Sequence, residues 1–245
     1  MKKAKNIAII IAGGRGSRMG LNIPKQFVNI NNKPVIIYTL EAFQKHSLID
    51  SIEVVCIADW IETLKTYCEK YHITKVKWIT EGGETGQESI RNGVYNLIDK
   101  VDKNDNIIIH DGVRPMLDEE IITDVIVKCN KYGNGVSSMP YNEQIFLKDD
   151  EDSTSKYIPR ETLRRVVTPQ AYKFDKLNWA YHKAFKENIG ISGSSYTNTM
   201  MVELGEKLYF AAGSDKNIKL TTIDNLAIFK ALISMDEDPI YTEDK

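Results

Sequence analysis

The feature that most constrains the fold is an apolar, isoleucine-rich run close to the N-terminus, followed at once by glycines. Residues 7–11 read IAIII and leave no polar face, a pattern typical of a strand buried on both sides, as in a parallel sheet. Gly13, Gly14, Gly16 and Gly20 come next, and glycine lets the backbone approach a ligand closely. The sequence therefore predicts a parallel sheet whose first strand ends in a glycine-rich loop.

Strand and helix patterns then alternate. Strands are predicted at 51–57, 76–79, 106–110 and 136–139, and helices at 35–46, 59–71, from 82–83 to about 98, and at 118–132. This rhythm predicts an α/β fold with a doubly wound, mostly parallel, Rossmann-like sheet and helices on both faces. Ligands in such sheets bind at the carboxyl ends of the strands. Polar clusters follow the predicted strands after residues 11, 80 and 110, and these are our first candidates for a site.

The alternation of strand and helix patterns is interrupted over residues 140–168. Residues 148–152 form a charged run, which we expect to be a solvated turn, and the flanking segments 144–147 and 156–158 are predicted to pair as a hairpin. We expect this stretch to be a protruding β-arm that contacts a second subunit. Helices are predicted again at 174–188, near 199–204 and at 222–235, with a strand at 208–212, so residues 1–245 are interpreted as a single domain.

Composition excludes several classes of protein. The 32 Lys and Arg residues against 34 Asp and Glu leave a net charge of −2, which argues against a protein that binds nucleic acid through a bulk basic field. No stretch approaches the length of a membrane span. Cys56, Cys68 and Cys129 fit neither a disulfide framework nor a zinc site. We therefore expect a cytoplasmic protein with reduced thiols and with no nucleic-acid or membrane partner.

The glycine-rich loop, residues 12–20, favours a polyphosphate ligand. A dinucleotide fingerprint would need a glycine at Met19, and the Gly-Lys-Ser/Thr ending of a Walker A loop is absent. Successive backbone N–H groups can form an anion nest, and the cations Arg18 and Lys25 lie beside it in sequence. The alternative is a tight turn carrying surface cations.

Five segments in order resemble one family. Residues 12–27, AGGRGSRMGLNIPKQF, resemble the signature of the cytidylyltransferases that form CDP-alcohols from CTP and an alcohol phosphate, among them the methylerythritol 4-phosphate and ribitol 5-phosphate enzymes. Gly82-Gly83-Glu84 with Ser89 resembles the family's nucleoside loop. Residues 110–115, HDGVRP, resemble its His-Asp-Ala-Ala-Arg-Pro motif, and residues 168–172, TPQAY, and 217–222, NIKLTT, resemble two later segments. The resemblance covers residues 7 to about 230.

The resemblance implies a nucleotidyltransferase in which a phosphate oxygen of the acceptor attacks the α-phosphate of CTP and pyrophosphate leaves. Such catalysis is mostly positioning and electrostatics. The implied catalytic residues are Arg18 and Lys25, on the β- and γ-phosphates, and Lys219, near the α-phosphate and the attacking phosphate. The residues expected to bind the nucleotide are Ala12, Gly13, Gly14, Gly16, Gly83, Glu84 and Ser89.

Acceptor and metal residues follow from the same resemblance. Arg114, Arg160 and Thr168 would bind the acceptor, and in the family the arginine corresponding to Arg160 reaches the other subunit of a homodimer. Asp111 would bind Mg²⁺, with Asp215 as a second candidate, because Mg²⁺ prefers one or two carboxylates plus phosphate oxygens and water. The histidine before Asp111 is interpreted as structural, since an anionic phosphate needs no general base.

Four departures from the family pattern, the first of them in the nucleoside loop, keep the catalytic core and alter the acceptor side. Gly86 replaces an arginine, residues 111–114 read Asp-Gly-Val-Arg, Glu143-Gln144 replaces Asp-Thr, and Thr197-Asn198 replaces a Thr-Asp or Ser-Asp step. They favour another polyol phosphate (ribitol, arabinitol, mannitol or glycerol phosphate), used for a cell-surface polymer, over methylerythritol 4-phosphate. The alternatives are the methylerythritol 4-phosphate enzyme of isoprenoid synthesis, a nucleotidyltransferase acting on a sugar 1-phosphate, and a non-catalytic nucleotide-binding dimer.

Overall fold

The computed structural model describes residues 3–14, 23–193 and 196–235. Gly16 and Arg18 lie outside these residues, so the roles predicted for them stay predictions. The strands are β1 (Asn6–Ala12), β2 (Asn29–Ile30), β3 (Lys33–Pro34), β4 (Ser51–Cys56), β5 (Val76–Glu81), β6 (Asn106–Asp111), β7 (Asn134–Pro140), β8 (Ile145–Leu147), β9 (Lys156–Ile158), β10 (Arg164–Lys173) and β11 (Phe210–Ala211). The α-helices are α1 (Val35–Lys45), α2 (Ile61–Lys70), α3 (Gly86–Asn96), α4 (Glu119–Tyr132), α5 (Phe174–Glu187), α6 (Thr197–Glu203) and α7 (Ile223–Met235).

Seven strands of the described chain form one sheet in the order β11-β7-β10-β6-β1-β4-β5. Every neighbouring pair is parallel except the two pairs made by β10. The prediction of a mostly parallel α/β sheet is confirmed, with β10 as an antiparallel strand that the sequence did not indicate. Its register shifts between Val166 and Gln170, and Pro169 cannot donate to the ladder, so the segment lacks a strand signature.

The isoleucine run of β1 is buried on both faces, as predicted. Ala8 and Ile10 belong to the core under α1, α2 and α4, whereas Ile7 and Ile9 belong to the core under α3, α5 and α6. Side chains alternate between the two faces of a strand, so one short segment stabilises both layers. No helix in the described part of the chain is long and apolar enough to cross a membrane.

The strand order reverses next to β1. The chain passes from β1 to β4 and β5 on one side, and then returns to β6 on the other side of β1. Connections leaving β1 and β6 therefore diverge, and a crevice opens between their carboxyl ends, where ligands bind in open α/β sheets.

The predicted hairpin is present. β8 and β9 pair antiparallel, with Ile145 opposite Ile158, and the charged run 148–152 between them is exposed. Phe146 and Tyr157 are large apolar side chains of this hairpin that also stay exposed. The hairpin thus carries an apolar surface away from the core.

The three cysteines have buried, free thiols, as predicted. Burial raises the pKa of Cys56 to about 12, that of Cys68 to about 11 and that of Cys129 to about 12.

Asp118 precedes α4 at the N-cap position, but its side chain makes no capping hydrogen bond.

Glu53 is a buried acid in the centre of β4. Its Oε1 accepts a hydrogen bond from Asn96 Nδ2 at 2.8 Å, and its Oε2 has no hydrogen-bond partner within the described residues. Burial raises the pKa of Glu53 to about 8, although the Asn96 hydrogen bond and the charge of Lys100 act in the opposite direction. The side chain is therefore mostly neutral at pH 7 in the folded protein.

We predict that Glu53→Gln makes the protein more stable at neutral pH. The unfolded wild type releases the Glu53 proton near pH 4.5, whereas the folded protein holds it to about pH 8, so wild-type stability falls as pH rises between these values. The variant should gain up to about 3 kcal/mol of unfolding free energy at pH 7 and little at pH 5. Urea unfolding of both proteins from pH 5 to 8 measures this difference; a constant difference across that range would contradict the account.

Candidate functional site

A cavity of about 320 Å³ occupies the crevice between the carboxyl ends of β1 and β6. Its walls come from the loops after β1 and β5, the end of β6, the middle of β10, the start of α6 and the segment before α7. The predicted site residues that line it are Ala12, Gly13, Gly14, Lys25, Gly83, Glu84, Ser89, Asp111, Thr168 and Lys219. Arg114, Arg160 and Asp215 do not line it.

Two glycine loops meet back to back at this cavity. A Cβ atom on Gly13 would lie 3.0 Å from Ser89 Oγ and 3.2 Å from Gly82 Cα. The backbone N–H of Gly82 donates to Cys56 O at 2.8 Å, which fixes the second loop to the end of β4. Glycine is needed because a side chain would push the two loops apart.

The loop after β5 is fixed by the first turn of α3. Thr85 and Glu88 form a reciprocal capping box, which satisfies N–H groups at the helix N-terminus. Ser89 Oγ donates to Thr85 O at 2.9 Å and accepts from the Gly83 N–H at 3.0 Å. Ser89 therefore shapes the loop that carries Gly83 and Glu84, and its predicted contact with the nucleoside stays a prediction.

Gln26 is a site residue that the sequence analysis missed. Its side chain is buried, and Nε2 donates to Ala12 O at 2.6 Å and to Gly14 O at 3.1 Å. In a trans peptide the carbonyl and the following N–H point in opposite directions, so the Gly13 N–H points away from Gln26. Gln26 thus fixes the orientation of the first loop, beside the neighbouring Lys25.

Asp111 binds two cationic side chains at the end of β6. Lys219 Nζ donates to Oδ1 at 3.0 Å, and Arg114 Nε donates to Oδ2 at 2.9 Å. Burial alone would raise the pKa of Asp111, but the charges and hydrogen bonds of Lys219 and Arg114 lower it to about 2. Asp111 is therefore ionised at physiological pH and neutralised by its partners.

Further hydrogen bonds join this ion cluster to β10. The backbone N–H of Asp111 donates to Thr168 Oγ1 at 3.2 Å. Arg114 donates to Asn217 O at 2.7 Å, and Asn217 Nδ2 donates to Thr168 O at 2.7 Å. The end of β6, the middle of β10 and the segment before α7 are thereby held together around the cavity.

His110 is fully buried beneath the cluster and does not line the cavity. Its Nε2 lies 3.0 Å from Arg114 O and its ring packs on Phe43. Burial lowers the pKa of His110 to about 4, so the ring is neutral and Nε2 carries the proton donated to the carbonyl. This environment agrees with a structural histidine.

The donor set fits a magnesium ion held by one protein carboxylate. No group of three or more His, Cys, Asp or Glu side chains suited to a metal occurs within the described ranges. Asp111 and Glu84 are the carboxylates that line the cavity, and Asp111 is the one beside Lys219, whereas Asp215 is 77% exposed and forms an ion pair with Arg165. Mg²⁺ often takes one or two carboxylates and completes its shell with phosphate oxygens and water, so Asp111 suits such an ion. Among the contacts of the described residues, none brings Asp215 to it.

Arg160 lies at the base of the hairpin, away from the cavity. Its guanidinium group donates to Asn142 O at 3.2 Å and lies 3.8 Å from the carboxylate of Glu161. The Arg160 side chain is 57% exposed. In the part of the chain that the structure describes, no contact brings Arg160 to the cavity.

Comparisons with known proteins agree with this geometry. Residues 6–235 match the family described as IspD, 2-C-methyl-D-erythritol 4-phosphate cytidylyltransferase. A ribitol-5-phosphate cytidylyltransferase of Lacticaseibacillus paracasei is 58% identical over 94% of this chain and 98% of the relative. A 2-C-methyl-D-erythritol 4-phosphate cytidylyltransferase of Clostridium acetobutylicum is 38% identical over 93% of this chain and 97% of the relative.

Solved structures extend the likeness to the fold. The structure of the Francisella tularensis 2-C-methyl-D-erythritol 4-phosphate cytidylyltransferase has a TM-score of 0.75 at 26% identity and covers 93% of this chain and 100% of that one. The family match over residues 6–235 includes the strands of the sheet and the segments that line the cavity. The chain therefore belongs to the IspD family of cytidylyltransferases.

Proposed function

We propose that this cytidylyltransferase transfers CMP from CTP to a polyol phosphate, with ribitol 5-phosphate as the first choice, in a reaction that requires Mg²⁺. The products are a CDP-polyol, for a cell-surface polymer, and pyrophosphate. The observation that carries the choice of acceptor is the 58% identity to a ribitol-5-phosphate cytidylyltransferase, against 38% to a methylerythritol phosphate relative. The altered acceptor-side residues of the sequence point the same way.

The two glycine loops are proposed to bind the nucleoside. Gly13 and Gly83 carry no side chain, so cytosine and ribose can lie against the backbone, where N–H and C=O groups discriminate the base by hydrogen bonding. Glu84 is exposed on the cavity wall and can accept hydrogen bonds from sugar hydroxyls. Gln26 and Ser89 keep both loops in place.

Lys25 and Lys219 are proposed to bind the phosphates of CTP. Both line the cavity, at its two sides after β1 and before α7. An oxygen of the acceptor phosphate attacks the α-phosphorus in line, and the bond from that phosphorus to the bridging oxygen breaks as pyrophosphate leaves with the electron pair. Charge grows on oxygen atoms only, so fixed cations stabilise the transition state.

Mg²⁺ would bind the triphosphate and Asp111, and would supply further positive charge to the departing pyrophosphate. Lys219 occupies Asp111 Oδ1 and Arg114 occupies Oδ2. The triphosphate offers Lys219 alternative oxygen atoms, so the carboxylate can accept a metal when the nucleotide is bound.

We also propose that the protein is a homodimer of single-domain chains, joined through the arm of residues 140–168. Phe146, Leu147 and Tyr157 are exposed on the hairpin, and a second copy of this surface would bury them. Arg160, at the base of the same hairpin, would then reach the acceptor phosphate in the cavity of the other subunit. The free thiols fit the reducing cytoplasm, where CTP is available.

The proposed function predicts selective release of pyrophosphate. With CTP and Mg²⁺, ribitol 5-phosphate should give a kcat/KM at least about tenfold above that for methylerythritol 4-phosphate, because a polyol hydroxyl lost from a fitted pocket leaves polar groups unpaired. A coupled pyrophosphate assay over a panel of polyol phosphates and nucleotides measures this ratio. Methylerythritol 4-phosphate as the best acceptor would replace the proposal with the isoprenoid enzyme, and CTP binding without turnover would favour a non-catalytic dimer.

The dimer predicts complementation between two defective chains. Arg160→Ala should mainly raise the KM for the acceptor, since it removes a ground-state contact, and Lys219→Ala should lower kcat. Mixed dimers then contain one intact site, made by the cavity of the Arg160→Ala chain and the arm of the Lys219→Ala chain. Random mixing should restore about a quarter of wild-type activity at low acceptor concentration.

Co-expression with two affinity tags isolates the mixed dimer, which should then show about half of wild-type activity because one of its two sites is intact. Sedimentation of the wild type measures the oligomeric state directly. A monomer, or a mixed dimer no more active than its parents, would place Arg160 outside the partner's site.

A further inference from the structure

Tyr196 is an aromatic residue in the wall of the cavity that neither the motifs nor the proposed mechanism uses. Its side chain is 54% exposed and lines the cavity. The centre of its ring lies 5.7 Å from Lys219 Nζ, within the distance at which a cation and an aromatic face attract each other. Lys219 therefore lies between two partners, the Asp111 carboxylate and the Tyr196 ring.

The backbone of Tyr196 is anchored on both sides of its peptide unit. The Tyr196 N–H donates to Thr199 Oγ1 at 2.8 Å, and the same hydroxyl donates to Tyr196 O at 2.9 Å. The next residue, Thr197, is buried, and its Oγ1 lies 2.7 Å from Tyr181 OH. The Tyr196 ring is thus presented to the cavity from a fixed N-terminus of α6.

A buried chain of hydrogen bonds extends this anchor to the nucleoside loop. Tyr181 OH donates to Gln87 Oε1 at 3.0 Å, so it accepts from Thr197. Gln87 Nε2 in turn donates to Gly190 O at 2.8 Å, and Gln87 is the second residue of α3, directly after the loop that carries Gly83 and Glu84. The N-terminus of α6, which carries Tyr196, and the nucleoside loop are therefore joined by one network of buried hydrogen bonds.

An aromatic partner has a physical role beside the ammonium group of Lys219. This group sits on a flexible four-carbon stem, and substrate phosphates compete with Asp111 for it. The carboxylate fixes Lys219 before substrate binds, but it cannot hold the ammonium once the ammonium turns to a phosphate. An aromatic face beside the group restricts where it can go and shields it from water.

We propose that Tyr196 is a positioning residue whose ring holds the Lys219 ammonium at the phosphates of CTP and of the acceptor. The assignment rests on the proposed function only in that turnover of a polyol phosphate is one of its readouts. The proposed role of Tyr196 depends on its aromatic ring and on the presence of Lys219, and both dependences can be tested.

The test is a double-mutant cycle on Tyr196 and Lys219. Tyr196→Leu should lower kcat/KM for the acceptor by about three- to tenfold, and Tyr196→Phe, which keeps the ring, should recover most of that loss. In a Lys219→Ala background, Tyr196→Leu should have no further effect, because the contact is already gone. The same cycle read in the dissociation constant of CTP by calorimetry requires no acceptor and should also be non-additive.

A matched control is available in the same chain. Tyr209 lies with its ring centre 5.7 Å from Lys207 Nζ, and neither residue lines the cavity. Tyr209→Leu removes this cation–ring contact, together with the stacking of Tyr209 on Tyr132, and should leave kcat/KM unchanged. Equal effects of Tyr196→Leu in both backgrounds, or a Tyr196→Phe variant as defective as Tyr196→Leu, would overturn the proposal. A wild type inactive on every polyol phosphate would contradict the proposed function alone, and the CTP cycle would still decide the role of Tyr196.

Discussion

The carboxylate of Asp111 gathers the charged groups of this site. It ends β6, where its side chain is only 19% exposed, and it binds Lys219 and Arg114 at 3.0 and 2.9 Å. An ionised carboxylate with so little exposure is unfavourable without such partners, and removal of both cations would leave its charge uncompensated. The same carboxylate therefore stabilises the join between β6 and the segment before α7, and it places Lys219 at the cavity, where phosphates are proposed to bind, while Arg114 completes the ion cluster without lining the cavity.

The sheet determines where this cluster lies. Because the strand order reverses at β1, the ends of β1 and β6 are adjacent while the loops that follow them diverge. The crevice between the two strand ends is therefore a direct result of the sheet topology. The glycine loops and Lys25 line one side of it, and Asp111 and Lys219 line the other. His110 adds to this arrangement from below, since its buried, neutral ring donates to the carbonyl of Arg114 and so fixes the arginine that meets Asp111.

Much of the fold could be predicted from local patterns, and less of the site. Buried runs such as 7–11 and 106–110 mark strands on their own, and helical spacing or end signals indicate the seven α-helices of the described residues. β10 was missed because Pro169 and a register shift interrupt its pattern. Gln26 and Tyr196 were missed because their partners are backbone carbonyls or a lysine distant in sequence, which only tertiary structure reveals. Asp215 illustrates the reverse problem: as a short acid near Lys219 it suggested a ligand, yet it pairs with Arg165, fifty residues away in the chain.

The most direct measurement of the central claim is the kinetics of Asp111→Asn. The amide keeps the shape of the carboxylate and can still accept one hydrogen bond, but it carries no charge to hold Lys219 and Arg114 together. The account predicts that kcat with CTP and ribitol 5-phosphate falls by at least about a hundredfold, while calorimetry still detects CTP on the glycine loops and the folded far-ultraviolet spectrum is kept. A variant with wild-type kcat would show that the cations are positioned without Asp111, and would contradict the account.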